Sequence, residues 1–324
     1  MTDNSSNTPY RQIPSLDALL REPAVADLVE RYGREVIVAE GRAVFDEARA
    51  AIASVEGTDT SASGLIGRLA ARVRSRFAPS LSPTVNATGI IMHSGLGRAV
   101  LSDAGRAALE EISRGYCTLA LDLETGRRGQ RDAGVSRLLK ELTGAEAATL
   151  CNNNSAATVL VFHALAFGKE VVVSRGQLVE IGGSFRMPEV MATSGAVMRE
   201  VGTTNKTHLR DYEAAIGPNT GAILRVHHSN YRILGFTAEP GIEELVELGR
   251  KSGVPVIDDL GSGALVDLRA YGLETEPLVR RSIEAGATAA CFSGDKLIGG
   301  PQSGLIVGKA DAVARIKKDP LARA

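Results

Sequence analysis

The chain has 324 residues, 44% hydrophobic and 23% charged, with 37 basic against 38 acidic side chains. That is the balance of an ordinary globular protein, long enough for one large α/β domain and a smaller appendage, and a net charge of −1 excludes a globally basic nucleic-acid binder. Cys117, Cys151 and Cys291 lie far apart without CxxC spacing, which argues against a zinc site and a disulfide framework and suits a reducing, cytoplasmic compartment.

The N-terminus, MTDNSSNTPY, is polar and lacks the basic-then-apolar order of a signal peptide. Leu16 to Ala53 predicts one or two amphipathic helices, with apolar positions at Leu19, Leu20, Val25, Leu28 and Val29. Glu56 to Gly64 is a turn-rich linker, and Leu65 to Phe77 predicts a further helix that stops before Pro79. Its arginines Arg68, Arg72 and Arg76 recur every fourth residue and share one stripe, which on charge alone reads as a solvated face. Residues 1–80 are thus expected to form a small helical N-terminal domain, and residues 81–324 the catalytic domain.

From about Ala145 the pattern changes to short apolar runs alternating with helices. Ala147–Leu150, Glu170–Ser174, Ala222–Val226, Val254–Ile257, Ala287–Phe292 and Gly304–Val307 read as buried strands, with helices at Ala156–Phe167 and Ile242–Lys251 among them. Such alternation predicts an α/β fold with a mostly parallel sheet covered on both faces. The most apolar stretch, Ala156 to Gly168, is too short to span a bilayer and contains His163.

Ligands of open α/β sheets bind beyond the carboxyl ends of the strands, and three predicted ends are chemically loaded. Asn152, Asn153, Asn154 and Ser155 follow the first strand and open a helix, where freed N–H groups and the positive helix end suit a phosphate. Asp258 and Asp259 precede the glycine-rich turn Gly261-Ser262-Gly263; Asp259 is placed to hold a pyridinium nitrogen protonated, with helix capping as the alternative, and Asp258 reads as structural. Ser293-Gly294-Asp295-Lys296 follows an apolar strand within a turn crowded with glycine. A lysine there, its pKa lowered by its surroundings, can form a Schiff base, and Ser293 can add a hydroxyl to the phosphate. Phosphate cradle, aspartate and lysine at successive strand ends make a pyridoxal-phosphate constellation, of the aspartate-aminotransferase type.

Several strings are more distinctive still. Asn86-Ala87-Thr88-Gly89 with His93 and Leu96-Gly97-Arg98, Asp122-Leu123-Glu124-Thr125-Gly126, the Asn152–Asn154 run, Val179-Glu180-Ile181-Gly182-Gly183, Ser229-Asn230-Tyr231, Asp259-Leu260-Gly261-Ser262-Gly263 and Ser293-Gly294-Asp295-Lys296 resemble the bacterial selenocysteine synthase (L-seryl-tRNA(Sec) selenium transferase) family. The resemblance runs from about residue 10 to the last residue. It implies Lys296 as the cofactor lysine, Asp259 as the partner of the pyridine ring, and Ser262 within the cofactor-binding set. Arg98 matches an arginine that receives the selenium donor, and Arg323 resembles another, from a Pro-Leu-x-Arg segment. The cluster Arg127, Arg128 and Arg131 fits that site, RNA phosphates or a solvated loop equally. Two departures stand out. Ser94-Gly95 replaces the family's usual Thr-Asn, and the chain stops at Ala324 where the family continues into a C-terminal small domain.

The implied reaction converts seryl-tRNA(Sec) and selenophosphate to selenocysteinyl-tRNA(Sec) and phosphate, through an aminoacrylate on pyridoxal phosphate. The implied assembly is a homo-oligomer, a ring of dimers with shared active sites. Residues 1–80 become the candidate tRNA module; their ten arginines face eleven acidic residues, so the arginine stripe is the expected place for phosphate contacts. Two rivals remain: a related pyridoxal-phosphate ammonia lyase or β-eliminase of a small amino substrate, and a truncated, non-catalytic tRNA-binding chain.

Overall fold

A computed structural model describes residues 13–53, 59–182, 185–273 and 276–323. The polar N-terminal decapeptide, the first half of the predicted linker (Glu56-Gly57-Thr58), Gly183 and Ala324 lie outside the described residues. The chain divides into two compact units, Met1–Val85 and Asn86–Ala324.

The first unit is helical: α1 (Leu16–Leu20), α2 (Pro23–Tyr32), α3 (Arg34–Ala53) and α4 (Ala62–Phe77). Three helices therefore occupy the stretch expected to hold one or two, because Pro23 starts α2 and Gly33, at φ 85°, turns the chain sharply into α3. Ser15 and Ser61 cap α1 and α4, each accepting a backbone N–H at 3.1 Å. Leu19, Val25, Ile37, Leu65, Leu69 and Val73 are fully buried and fill the space between the helices. The arginine stripe of α4 is largely solvent-exposed but not free: Arg72 pairs with Glu40 and Glu47, Arg76 with Glu40, and Arg68 with Glu47, all from α3. Hydrogen bonds from Arg72 and Arg76 hold the Glu40 carboxyl below the usual carboxylate range. The stripe is thereby largely neutralised within its own unit.

The second unit is built on a seven-stranded sheet. Its strands in chain order are β1 (Ala147–Cys151), β2 (Glu170–Ser174), β5 (Val197–Val201), β6 (Thr220–Val226), β7 (Val256–Gly261), β8 (Ala289–Ser293) and β9 (Gly304–Gly308), while β3 (Glu180–Ile181) and β4 (Phe185–Arg186) form a separate small hairpin. The spatial order is β1-β9-β8-β7-β6-β2-β5, parallel from β5 across to β8, with β9 antiparallel to both of its neighbours. This is the mostly parallel α/β sheet expected from the strand–helix alternation. All six predicted strands are present. Missing from the expectation were the hairpin, whose strands are two residues each, and β5, which carries Arg199 and Glu200 because it is the sheet edge and escapes the burial that makes parallel strands apolar.

Helices α5 (Asp103–Ser113) and α6 (Ala133–Thr143) precede the sheet, α7 (Asn154–Ala166), α8 (Met187–Thr193), α9 (Leu209–Ala215), α10 (Ile242–Ser252) and α11 (Val279–Ala285) are interleaved with its strands, and α12 (Ala310–Lys318) follows the last of them. The buried core on one face gathers Leu160, Val161 and Phe162 of α7 with Met187 and Met191 of α8 and Ile316 of α12. Lying between sheet and neighbouring helices, α7 has no polar face to expose, which is why its sequence is apolar all round.

One close approach fixes the start of α7. A Cβ on Gly304 would sit 2.1 Å from the Asn153 carbonyl oxygen and 2.9 Å from the Ala157 Cβ, so only glycine lets β9 pass beneath the strand-to-helix loop. Gly304→Ala is expected to cost about 1–3 kcal/mol through overpacking; urea unfolding checks it, and an unchanged midpoint would show that the loop yields freely.

Candidate active site

Because β1, β6, β7 and β8 point the same way, their carboxyl ends converge on one rim of the sheet, and a cleft of about 210 Å³ opens there. Asn153, Asn154 and Ser155 after β1, His227 after β6, Asp259 on β7 and Lys296 after β8 all line it. Residues as far apart in the chain as Arg98 and Lys296 thus meet at one edge.

Asp259 lies at the base. A break in the β7–β8 register between Asp259 and Gly261, with Gly261 at φ 62°, marks a bulge at this point. The carboxylate is buried and accepts hydrogen bonds from Asn154 Nδ2 at 2.8 Å, Thr158 Oγ1 at 3.2 Å and the Gly261 N–H at 3.2 Å. Burial pushes its pKa up, against the lowering effect of those donors. Asp258, one residue earlier and facing the opposite side of the sheet, pairs with Arg225 at 3.1 Å and accepts from Ser282 at 2.6 Å, a structural role as expected.

Lys296 sits on the turn after β8. Burial, and then the nearby Arg98 guanidinium, hold its amine below the ordinary lysine range, so more of it is uncharged and nucleophilic at neutral pH than in an exposed lysine. Arg98 reaches this turn by donating to Asp295 Oδ2 at 2.7 Å, and the Ala99 N–H donates to the Asp295 carbonyl at 3.2 Å. Arg98 is also the one non-glycine residue with positive φ, 63°, among the described residues. A left-handed arginine is disfavoured and persists where surrounding bonds fix it.

The structure brings together Lys296, Asp259, Arg98, Asn153, Asn154, Ser155 and Ser293. It does not bring in the other three expected site residues. Asn152 is exposed and lines no part of the cleft; the Ser262 hydroxyl turns to Glu276 at 3.1 Å; Arg323 is exposed on the short turn Pro320–Arg323 after α12. Asn153 and Asn154 also have distinct tasks. Asn153 caps α7, accepting from the Ala156 N–H at 2.9 Å, while Asn154 is the partner of Asp259.

Two residues of the site escape the sequence reading. His227 directly follows β6, so the same inspection of strand ends picks it out. Its Nε2 lies 3.1 Å from Glu276, which has no sequence signal and arrives from 49 residues further on. Of the cleft-lining residues Val179, Ile181 and Phe185 from the β3–β4 region, the first two are legible only as part of a matched string and Phe185 carries no sequence signal.

The site fits pyridoxal phosphate. Asp259 is a buried carboxylate with donors around it but, among the described residues, no cation hydrogen-bonded to it, which a pyridinium N–H would supply. Asn154 Oδ1 is buried without a partner. The N-terminus of α7, with the Ser155 and Ser293 hydroxyls beside it, offers free N–H groups to a phosphate.

Comparison with known proteins agrees with this geometry. A family described as L-seryl-tRNA selenium transferase matches residues 84–324, and one described as selenocysteine synthase N terminal matches residues 10–49. A curated L-seryl-tRNA(Sec) selenium transferase of Carboxydothermus hydrogenoformans is 51% identical over 97% of this chain and 68% of its own length. One from Methylocella silvestris is 48% identical over 99% of this chain and 69% of its own. This chain therefore spans about two thirds of these relatives. Among solved structures, D-glucosaminate-6-phosphate ammonia-lyase shares the fold at TM-score 0.56 and 21% identity, covering 70% of this chain and 58% of that one. The SepCysS–SepCysE N-terminal domain complex does so at 0.53 and 15%, covering 76% and 62%.

Two outcomes test the site. Borohydride should fix pyridoxal phosphate onto Lys296, located by peptide mapping, and Lys296→Ala should abolish fixation; label on Lys140 or Lys169 would refute the assignment. Removing Arg98 takes a positive charge from beside the amine, so in Arg98→Ala the pH midpoint for cofactor attachment should move upward. A midpoint unmoved or lowered would show that Arg98 does not act on Lys296.

Proposed function

The chain belongs to the L-seryl-tRNA selenium transferase family, and from that membership we propose that it converts seryl-tRNA(Sec) to selenocysteinyl-tRNA(Sec), with pyridoxal 5′-phosphate as cofactor and selenophosphate as selenium donor. The observation that carries the reading is the meeting of Lys296, buried Asp259 and the α7 N-terminus in one cleft. When bound, the cofactor supplies an electron sink for the pair left behind when Cα loses its proton. The protein's part is to hold and time that chemistry. Lys296 Nζ is the amine that would hold the cofactor and, when free, would serve as the base for the Cα proton. Asp259, held by Asn154 and Thr158, keeps the ring nitrogen protonated. The N–H groups that open α7, with Ser155 and Ser293, receive the phosphate. Arg98, anchored on Asp295, offers its guanidinium to the anionic selenium donor. Arg323 lies outside this cleft, so a part for it in donor binding belongs to an assembly of copies.

A homo-oligomer is supported by the segment that leads into the sheet. Ile91, Val100, Tyr116, Leu119 and Leu123 are all more than half exposed, and α5 buries none of its residues despite an apolar face with Leu109 and Ile112. A second copy covering this surface fits it better than solvent. No helix among the described residues is long and apolar enough to cross a membrane, and a cytoplasmic site of action suits a tRNA substrate.

The N-terminal helical unit is the proposed tRNA module. Its phosphate contacts do not fall to Arg68, Arg72 and Arg76, whose charges Glu40 and Glu47 already offset. They fall to exposed arginines with no ion pair among the described residues, a set of Arg21, Arg31, Arg34, Arg42 and Arg74 of which the last three are on α3 and α4. Deleting residues 1–80 should leave cofactor attachment to Lys296 intact and abolish the preference for seryl-tRNA(Sec) over other seryl-tRNAs. Replacing Arg34, Arg42 and Arg74 with Ala should flatten the salt dependence of RNA binding by about one counterion for each phosphate left without its arginine. The Arg68, Arg72 and Arg76 triple variant should instead lower the unit's melting temperature with a smaller change in that slope. A deletion that still prefers tRNA(Sec) would restrict the helices to assembly; a parent without preference would favour a small-molecule lyase.

A further inference from the structure

Loss of the seryl β-hydroxyl requires a proton donor, because hydroxide is a poor leaving group. Lys296 is occupied with the Cα proton at that moment. Among the cleft-lining side chains, one imidazole has the geometry of a second proton-transfer group. His227 stands directly after β6, beside the strand that carries Asp259, and its backbone N–H donates to the Asp259 carbonyl at 2.9 Å. His227 lines the cleft. Its Nε2 is 3.1 Å from Glu276 Oε2, the same oxygen that accepts from Ser262 Oγ at 3.1 Å. Nε2 is thus committed to Glu276, which leaves Nδ1 as the ring nitrogen able to address a ligand. The His227 hydrogen bond first, helped by Ser262 and the positive charge of Arg232, holds the Glu276 carboxyl below the usual range. Glu276 therefore stays anionic at neutral pH and can accept the Nε2 proton of its neighbour.

We infer that His227 is the acid that protonates the departing seryl β-oxygen and that Glu276 is its positioning residue, an inference that rests on the transferase reading above. The step balances. The Cα proton goes to Lys296 and its electron pair moves toward Cβ; the Cβ–O bond breaks with its pair going to oxygen. The Nδ1 proton of His227 joins that oxygen, water departs, and a neutral imidazole hydrogen-bonded to Glu276 remains. Ser262, expected from the resemblance to serve the cofactor, here steadies the carboxylate instead.

The test combines a leaving-group comparison with a readout that needs no turnover. His227→Asn keeps a hydrogen-bond donor near the Nδ1 position but cannot act as an acid. With seryl-tRNA(Sec), elimination should fall by about 10²–10⁴-fold, the usual range for general acid catalysis, while exchange of the Cα proton with solvent deuterium continues. With β-chloroalanyl-tRNA(Sec), whose chloride leaves without a proton, the same variant should match the parent. Equal losses on both substrates would overturn the assignment, as would weakened binding of pyridoxal phosphate to cofactor-free His227→Asn, which would make the ring a cofactor holder. In the cofactor-free full chain, ¹⁵N NMR should show His227 protonated at Nε2, and Glu276→Gln should diminish that state. A His227 carrying its proton on Nδ1 alone would overturn the pair. If the parent processes neither charged tRNA, the transferase reading fails, and the NMR result decides the His227–Glu276 pair by itself.

Discussion

A carboxylate sealed at the end of a β-sheet has to be satisfied, and much of the cleft is organised around doing so for Asp259. Removing a charge from water costs several kcal/mol unless hydrogen bonds and an opposite charge offset it. The protein supplies three donors, from Asn154, Thr158 and the Gly261 backbone. Two of these lie on α7, so the helix whose N-terminus opens onto the cleft also steadies the carboxylate. Among the described residues no cation is hydrogen-bonded to Asp259, and a protonated pyridine nitrogen would fit that place.

Lys296 answers the complementary need. Its amine must be reactive at neutral pH, and the structure arranges this by burial and by the Arg98 guanidinium, itself held on Asp295. Arg98 is then doubly useful. It lowers the lysine's proton affinity, and it places positive charge in the same cleft. The left-handed backbone at Arg98 is the cost of that placement.

The N-terminal unit follows a different logic. A stripe of arginines on one helix attracts attention as an RNA surface, but carboxylates from the adjacent helix meet it. Exposed ion pairs of this kind add little stability each. Their consequence is electrostatic, since the stripe's positive field is quenched and any phosphate-binding role passes to arginines elsewhere on the unit.

Residue order alone was enough for the α/β class, six of the seven sheet strands, and the strand-end residues Lys296, Asp259 and Asn153–Ser155 that the fold gathers in one cleft. These were legible because buried parallel strands are apolar and because ligands gather at strand ends, so a local string carries both strand and site. The edge strand Val197–Val201 was not legible, since half its surroundings are solvent. Nor were the division of labour between Asn153 and Asn154, the turning of Ser262 away from the cofactor, the joining of His227 to Glu276, or the quenching of Arg68, Arg72 and Arg76. Each depends on a partner 14 to 105 residues away. Local sequence sets backbone periodicity and which groups are available. Only the packed fold decides which of them come within hydrogen-bonding distance, because that distance is set by the close packing of elements remote in the chain.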